Sequence, residues 1–191
     1  MAEAEMIATR YRIVTNRSRF NVRAFAGGAL SAFGHNPTIA IREFTGEVRF
    51  SPDYISASVL RMVINSDSLS LTDDVSEKDR KELERTMREE ALEIARYPEV
   101  AYESTAVSGN KLFAGRYKVA IEGNLTLHGV TRLCPIEVQI IVSENTLRAS
   151  GEFSIRQTDY RIKLVSALGG TIKLKDDLKF SFDIVAYKES E

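Results

Sequence analysis

The chain has 191 residues, of which 43% are hydrophobic and 28% charged, with a formal net charge of −1. That length suits one domain with a sizeable core, and the near-neutral balance excludes the basic footprint of a nucleic-acid binder. A single cysteine, Cys134, and two histidines, His35 and His128, exclude an internal disulfide and a multi-cysteine metal site, so neither metal nor cofactor is expected.

The opening stretch MAEAEMIATRYRIV has no basic region leading into an apolar run and does not read as a secretory signal. No stretch approaches the roughly 18 apolar residues of a membrane span. The expectation is a cytoplasmic protein without an integral membrane segment, one domain over residues 1–191. Next, TRYRIVTNRSRFNVRAF alternates arginines with apolar residues: Arg19 and Arg23 share one face, Phe20 and Val22 the other. On an outer wall these arginines are solvated; on an inner wall they would draw in an anionic head group. AFAGGALSAFGHNP, with Phe25, Phe33 and His35, is rich in small residues. It carries neither phosphate-binding glycine pattern and reads as a loop beside an opening.

TGEVRF sets Val48 and Phe50 against Glu47 and Arg49, and ISASVLRMVINS is long and β-branched; both read as strands. Ser76 to Pro98 breaks the pattern. Ser76 with Asp79 resembles a capping box, Leu83, Met87, Ala91 and Ile94 form one apolar stripe, and Pro98 ends the segment. This amphipathic helix must lay its stripe on the outside of the sheet or on the mouth of a barrel, with its charged face in solvent.

Period-two alternation then resumes. Tyr117, Val119, Ile121, Leu125 and Leu127 share a face, as do Ile136, Val138, Ile140 and Val142. Between these runs lies GNLTLHGVTR, where His128 reads as a hydrogen-bonded corner residue and Gly129 supplies the turn. Cys134, before Pro135, reads as a small buried hydrophobe. Phe153 and Ile155 face one way in FSIRQTDYRI, where Asp159 pairs with Arg156 or Arg161. Leu178, Phe180, Phe182 and Ile184 form the last strand. Eight or more short runs separated by turn residues suggest an antiparallel all-β sandwich or barrel.

Three segments, in order, carry a resemblance. GNLTLHGVTR is similar to a G-x-L-T-[ILV]-[HR]-G-V-T strand and turn, FSIRQTDYRI to F-x-[IL]-x-R-x-D-[FY]-G-I, and EALEIARYPEVAYES to a segment ending in Tyr-Pro before a strand. The chain resembles the YceI-like family of lipocalin-like barrels from Tyr11 to about Tyr187. The resemblance implies a mainly β fold: an eight-stranded antiparallel barrel, here with one amphipathic helix. It also implies a non-enzymatic carrier of a hydrophobic or amphiphilic small-molecule ligand, an isoprenoid lipid of quinone or polyprenyl phosphate type. An enzyme acting on a small hydrophobic substrate, or an interaction module without ligand, stays as the alternative, and a homodimer is possible. The expected ligand-binding residues are Phe153, Ile155, Phe180, Phe182, Val119, Ile121, Leu125, Leu127, Phe25 and Phe33. Two departures stand out. Arg161 occupies the usual glycine of the second motif, a position suited to φ > 0, and the region from Ala24 to Phe44 differs from the common pattern.

Overall fold

Alternation along the chain is realised as strands. The computed structural model describes residues 8–27, 36–164, 166–167 and 172–189. Among these, thirteen strands form one sheet, paired antiparallel throughout. In chain order they are β1 (Thr9–Ile13), β2 (Arg19–Gly27), β3 (Thr38–Ile41), β4 (Phe44–Phe50), β5 (Val59–Asn65) and β6 (Leu69–Leu71). After a helical segment come β7 (Glu99–Phe113), β8 (Arg116–Leu127), β9 (Val130–Leu133), β10 (Ile136–Val142), β11 (Thr146–Arg156), β12 (Ser166–Ala167) and β13 (Ile172–Lys188).

Eight strands close on themselves in the order β1–β4–β5–β7–β8–β10–β11–β13. The seam is the pairing of Tyr11, Arg12 and Ile13 with Lys188, Tyr187 and Ala186. Closure satisfies every edge it includes, which an open sheet cannot do. β13 is long enough to hold two neighbours on the same edge. Its last residues pair with β1 and its earlier ones with β2, and the tight helical bend at Thr15–Arg17 carries the chain from one to the other. β3 and β4 are likewise separated by Arg42 and Glu43, and β5 and β6 by the bend Ser66–Ser68. The barrel therefore changes partners halfway along its axis.

Beyond that break the order runs β13–β2–β3–β6, and among the described residues β6 has no strand on its outer edge. The wall parts between β6 and β7 past the pair Asn65–Glu99, with the Ser66 amide donating to the Pro98 carbonyl at the apex (2.9 Å). Helix α1 (Glu77–Arg85) and the wider π-type turn Thr86–Ala91 cross this gap. The cap is the one the sequence indicates: Ser76 Oγ accepts from the Asp79 amide at 3.1 Å.

The charged face of the helix is not simply solvated, contrary to the sequence expectation. Glu84 Oε1 accepts from the Leu71 amide at 2.9 Å. Arg80 donates to the carbonyls of Leu71 and Asp73, and Arg88 Nη2 to that of Leu69 at 3.1 Å. Arg80, Glu84 and Arg88 stand at four-residue steps, so they share one side of a helix. They satisfy the free backbone groups of β6 as another strand would. Each such group left unpaired while buried costs about 1–3 kcal/mol.

Candidate functional site

Inward side chains of the barrel surround a cavity of about 550 Å³. The end away from the helix is closed. Phe50 and Tyr117 meet edge to face there, with ring centroids 5.1 Å apart, and Phe50, Leu147 and Ala186 are almost wholly buried. Above this floor the wall is apolar, with Ile13, Val48, Leu60, Met62, Ile140 and Ile184 among its members. Four phenylalanines from three adjoining strands form one facet. Phe153 and Phe180 sit opposite each other in register and stack at 4.7 Å, while Phe20 lies 6.2 Å from Phe180 and 6.1 Å from Phe182.

Polar groups are confined to the helix-bearing end. They are Ser66 at the β5–β6 bend, Asp73 and Asp74 between β6 and α1, Glu84 and Thr86 of the helical segment, Tyr102 near the start of β7, and Gln157 in the turn after β11. The helix contributes Leu83, Met87, Ala91 and Leu92. The wide turn puts Leu92 five residues after Met87, its amide donating to the Met87 carbonyl at 2.9 Å, whereas Ile94, expected on the stripe, follows Glu93 at φ 46° and falls beyond the helical segment.

The expected binding residues divide into four groups. Phe153, Phe180, Phe182, Ile121, Leu125 and Leu127 line the cavity. Val119 and Ile155 are buried in the surrounding core without bordering it. Phe25 alternates with the inward Ala24 and Ala26, so its side chain lies on the other face of β2. Phe33, like His35, lies outside the described residues. Alternation also marks Phe20, Val22, Leu60, Met62, Ile136 and Ile140, which the sequence reading left out of the site. Arg19 and Arg23 are exposed beside buried Phe20 and Val22, and Arg19 meets Asp183 at 3.4 Å. The arginines of this strand thus face solvent.

His128 is a structural joint. It has φ 51° and Gly129 φ 71°, which makes the sharp turn from β8 to β9. Its Nε2 lies 2.7 Å from Glu93 Oε2 and its Nδ1 3.2 Å from the Tyr160 carbonyl oxygen, and the ring packs 4.5 Å from that of Tyr97. One imidazole thus ties the end of the helical segment, the β8–β9 turn and the turn after β11 together. Both nitrogens are engaged, and the side chain does not border the cavity. Gly129 is required for a second reason: a Cβ there would fall 2.6 Å from the Tyr97 ring.

Cys134 is buried, and burial pushes its thiol up to about 11, so it is a poor nucleophile. Its carbonyl accepts from the Tyr102 hydroxyl at 2.9 Å. Burial also raises the Tyr102 phenol, and burial with Cys134 nearby raises that of Tyr160 to about 12. Arg156 pairs with Asp176 at 3.2 Å, not with Asp159 as expected; the bulge between Leu174 and Leu178 brings Asp176 over the turn. There Asp176 also accepts from the Thr158 amide (2.8 Å) and hydroxyl (2.7 Å). Arg161, at the position of the usual glycine, has φ 58°. The left-handed turn survives the exchange and its strain is carried by an arginine.

The family profile described as YceI-like domain matches residues 11–186. Among solved structures, Burkholderia cenocepacia BcnA is similar over 91% of this chain and 98% of its own, with TM-score 0.71 and 16% identity. A polyisoprenoid binding domain from Saccharophagus degradans, implicated in plant cell wall breakdown, is similar over 94% and 98%, with TM-score 0.68 and 15% identity. The Campylobacter jejuni YCEI protein covers 80% and 85%, with TM-score 0.58 and 15% identity. No curated protein matches the chain.

Proposed function

The chain belongs to the YceI-like domain family, and from that premise we propose that its barrel binds or carries an apolar or amphiphilic small molecule, an isoprenoid lipid by class. The observation that carries this reading is the 550 Å³ cavity, closed below and walled by apolar side chains. Pockets of roughly 300–1,000 Å³ bury most of a small ligand. Each methylene taken out of water contributes about 0.8 kcal/mol, so a short tail outweighs the cost of ordering it. The polyisoprenoid binding domain from Saccharophagus degradans, alike in fold, supports the ligand class. In this reading Phe153, Phe180, Phe182, Ile121, Leu125 and Leu127 touch the chain of the ligand, and residues 1–191 act as one binding domain.

Binding rather than catalysis is supported by the candidate acid–base groups. Both His128 nitrogens have protein partners, and Cys134 is held as a thiol. Leu112 and Phe113, exposed at the far end of β7, offer an apolar surface for a homodimer, which light scattering tests. A cytoplasmic location belongs to the same reading and is tested by cell fractionation. No described helix is long and apolar enough to cross a membrane.

The main experiment is solvent extraction of the purified protein followed by mass spectrometry, with titration of prenyl probes. A co-purifying isoprenoid, or saturable probe binding, is expected. Absence of both would falsify the reading.

A further inference from the structure

The cavity has a chemical polarity that narrows what it accepts. Its floor and lower wall are hydrocarbon, so a tail enters first and a head group rests at the helix-bearing end. No lysine, arginine or histidine is among the described residues that line it. Apart from the Tyr102 phenol, whose hydroxyl donates to the Cys134 carbonyl, the ionisable side chains that reach the lining at that end are Asp73, Asp74 and Glu84. The nearby cations are already used. Arg80 donates to the Leu71 and Asp73 carbonyls, and Arg88 donates to the Leu69 carbonyl and lies 3.8 Å from Glu84. Arg19 and Arg23, on the adjoining β2, face outward.

A head group at this end meets buried dipoles instead of a counter-cation. Gln157 is 4% exposed and borders the cavity. Its amide nitrogen donates to the Lys175 carbonyl at 2.8 Å, and its amide oxygen takes no hydrogen bond from the described residues. Thr86, equally buried, brings a hydroxyl to the same end. A buried acceptor without a donor is costly, and a hydroxyl-bearing head group would satisfy it. A phosphate brings further negative charge and no donor in its ionised form. Among three carboxylates, in a partly desolvated opening, it is repelled.

Volume sets the second limit. At interior packing density, with about 30 Å³ for each small heavy-atom group, 550 Å³ holds about 20 heavy atoms. Phe50, Tyr117 and Leu147 close the end toward which a longer chain would have to extend.

We propose that the cavity selects a prenyl-type chain of about 20 heavy atoms or fewer, bearing an uncharged hydrogen-bonding head, and discriminates against the same chain bearing a phosphate. This rests on the reading that the barrel holds an apolar chain.

The test is calorimetric titration of the full chain with farnesol, farnesyl phosphate, geranylgeraniol and solanesol, each delivered from cyclodextrin. Farnesol is expected to bind at least tenfold more tightly than farnesyl phosphate, and solanesol no more tightly than geranylgeraniol. Asp74 is exposed, so Asp74→Lys leaves the fold intact; it is expected to narrow the alcohol-to-phosphate ratio several-fold. Farnesyl phosphate binding as tightly as farnesol, or an unchanged ratio in D74K, overturns the head-group selection while the apolar-chain reading stands. A large gain for solanesol overturns the length limit in the same way. Binding of none of the four removes the apolar-chain reading, and this inference goes with it.

Discussion

The two ends of the barrel are built from the same strands and held by different forces. At the closed end, Phe50, Tyr117, Leu147 and Ala186 pack side chain to side chain, and every strand has two neighbours. At the open end the wall parts beside β6, and specific polar contacts replace the missing strand. Arg80, Glu84 and Arg88 answer the edge of β6, Asp73 accepts from the Thr38 amide at 2.7 Å, and His128 joins three turns. Burial of apolar area is non-directional and accumulates stability. Hydrogen bonds contribute less net energy but fix position. The closed end thus stabilises the molecule, and the open end places a helix over a cavity without filling it.

The largest expected effect breaks the closed end. Phe50→Ala leaves a void at one of the most completely buried side chains and should cost about 3–5 kcal/mol in urea unfolding. A loss under about 1 kcal/mol would show that the floor is not the centre of stability. Gly129→Ala acts at the open end. Its φ of 71° and the 2.6 Å approach to Tyr97 should together cost about 1–3 kcal/mol, with Tyr97 displaced from His128. Wild-type thermal stability in that variant would contradict a structural joint at His128 and Gly129.

Glu84→Ala separates the two ends most directly. It unpairs the Leu71 amide at a cost of about 1–3 kcal/mol, spent on the helix and not the barrel. Hydrogen exchange should quicken across residues 77–97 while amides of β8 and β10 keep their protection. Uniform quickening would mean the ends are one cooperative unit.

Arg161→Gly should stabilise. Removing the side chain from a left-handed residue relieves about 1 kcal/mol, seen as a small rise in melting temperature. The smallest effect is electrostatic. Hydrogen bonds from the Thr158 hydroxyl and amide, with Arg156 beside them, hold the Asp176 carboxyl below its ordinary 3.8. A folded value below the unfolded one stabilises fully above that range, and the contribution fades as pH falls through the folded value. Asp176→Asn should therefore lower the melting temperature by a small constant amount at neutral and alkaline pH and shallow the acid side of the profile, where the variant converges on wild type. A steeper acid side would mean that the carboxylate destabilises the fold.

Much of the wall was legible because a half-buried strand imposes a period of two. Alternation put Leu125 and Leu127, Phe153, Phe180 and Phe182 on inward faces, and the family resemblance made those faces the wall of a cavity, which they line. Phe25 was expected at the site because AFAGGALSAFGHNP reads as a loop beside an opening; alternation itself puts it in phase with Arg19 and Arg23, on the outward face of β2 where it lies. Alternation could not distinguish Ile121, which borders the cavity, from Val119, which is buried two residues earlier on the same face. Whether an inward residue meets space or another side chain depends on the residue across the barrel. The Arg156–Asp176 pair was hidden for a related reason: the bulge that aims Asp176 has no local sequence period.

The sequence by itself determined the main strands, most of their inward faces, and the helix with its Ser76 cap. All of these arise from short-range spacing, where each residue's role depends on neighbours within a few positions. Only the tertiary structure decided that β13 carries both β1 and β2, and that the wall parts at β6. Only it assigned Arg80, Glu84 and Arg88 to mend that edge and left the interior hollow. Those outcomes depend on which distant residues meet, and closing a barrel settles that by strand order and register, which no local pattern encodes.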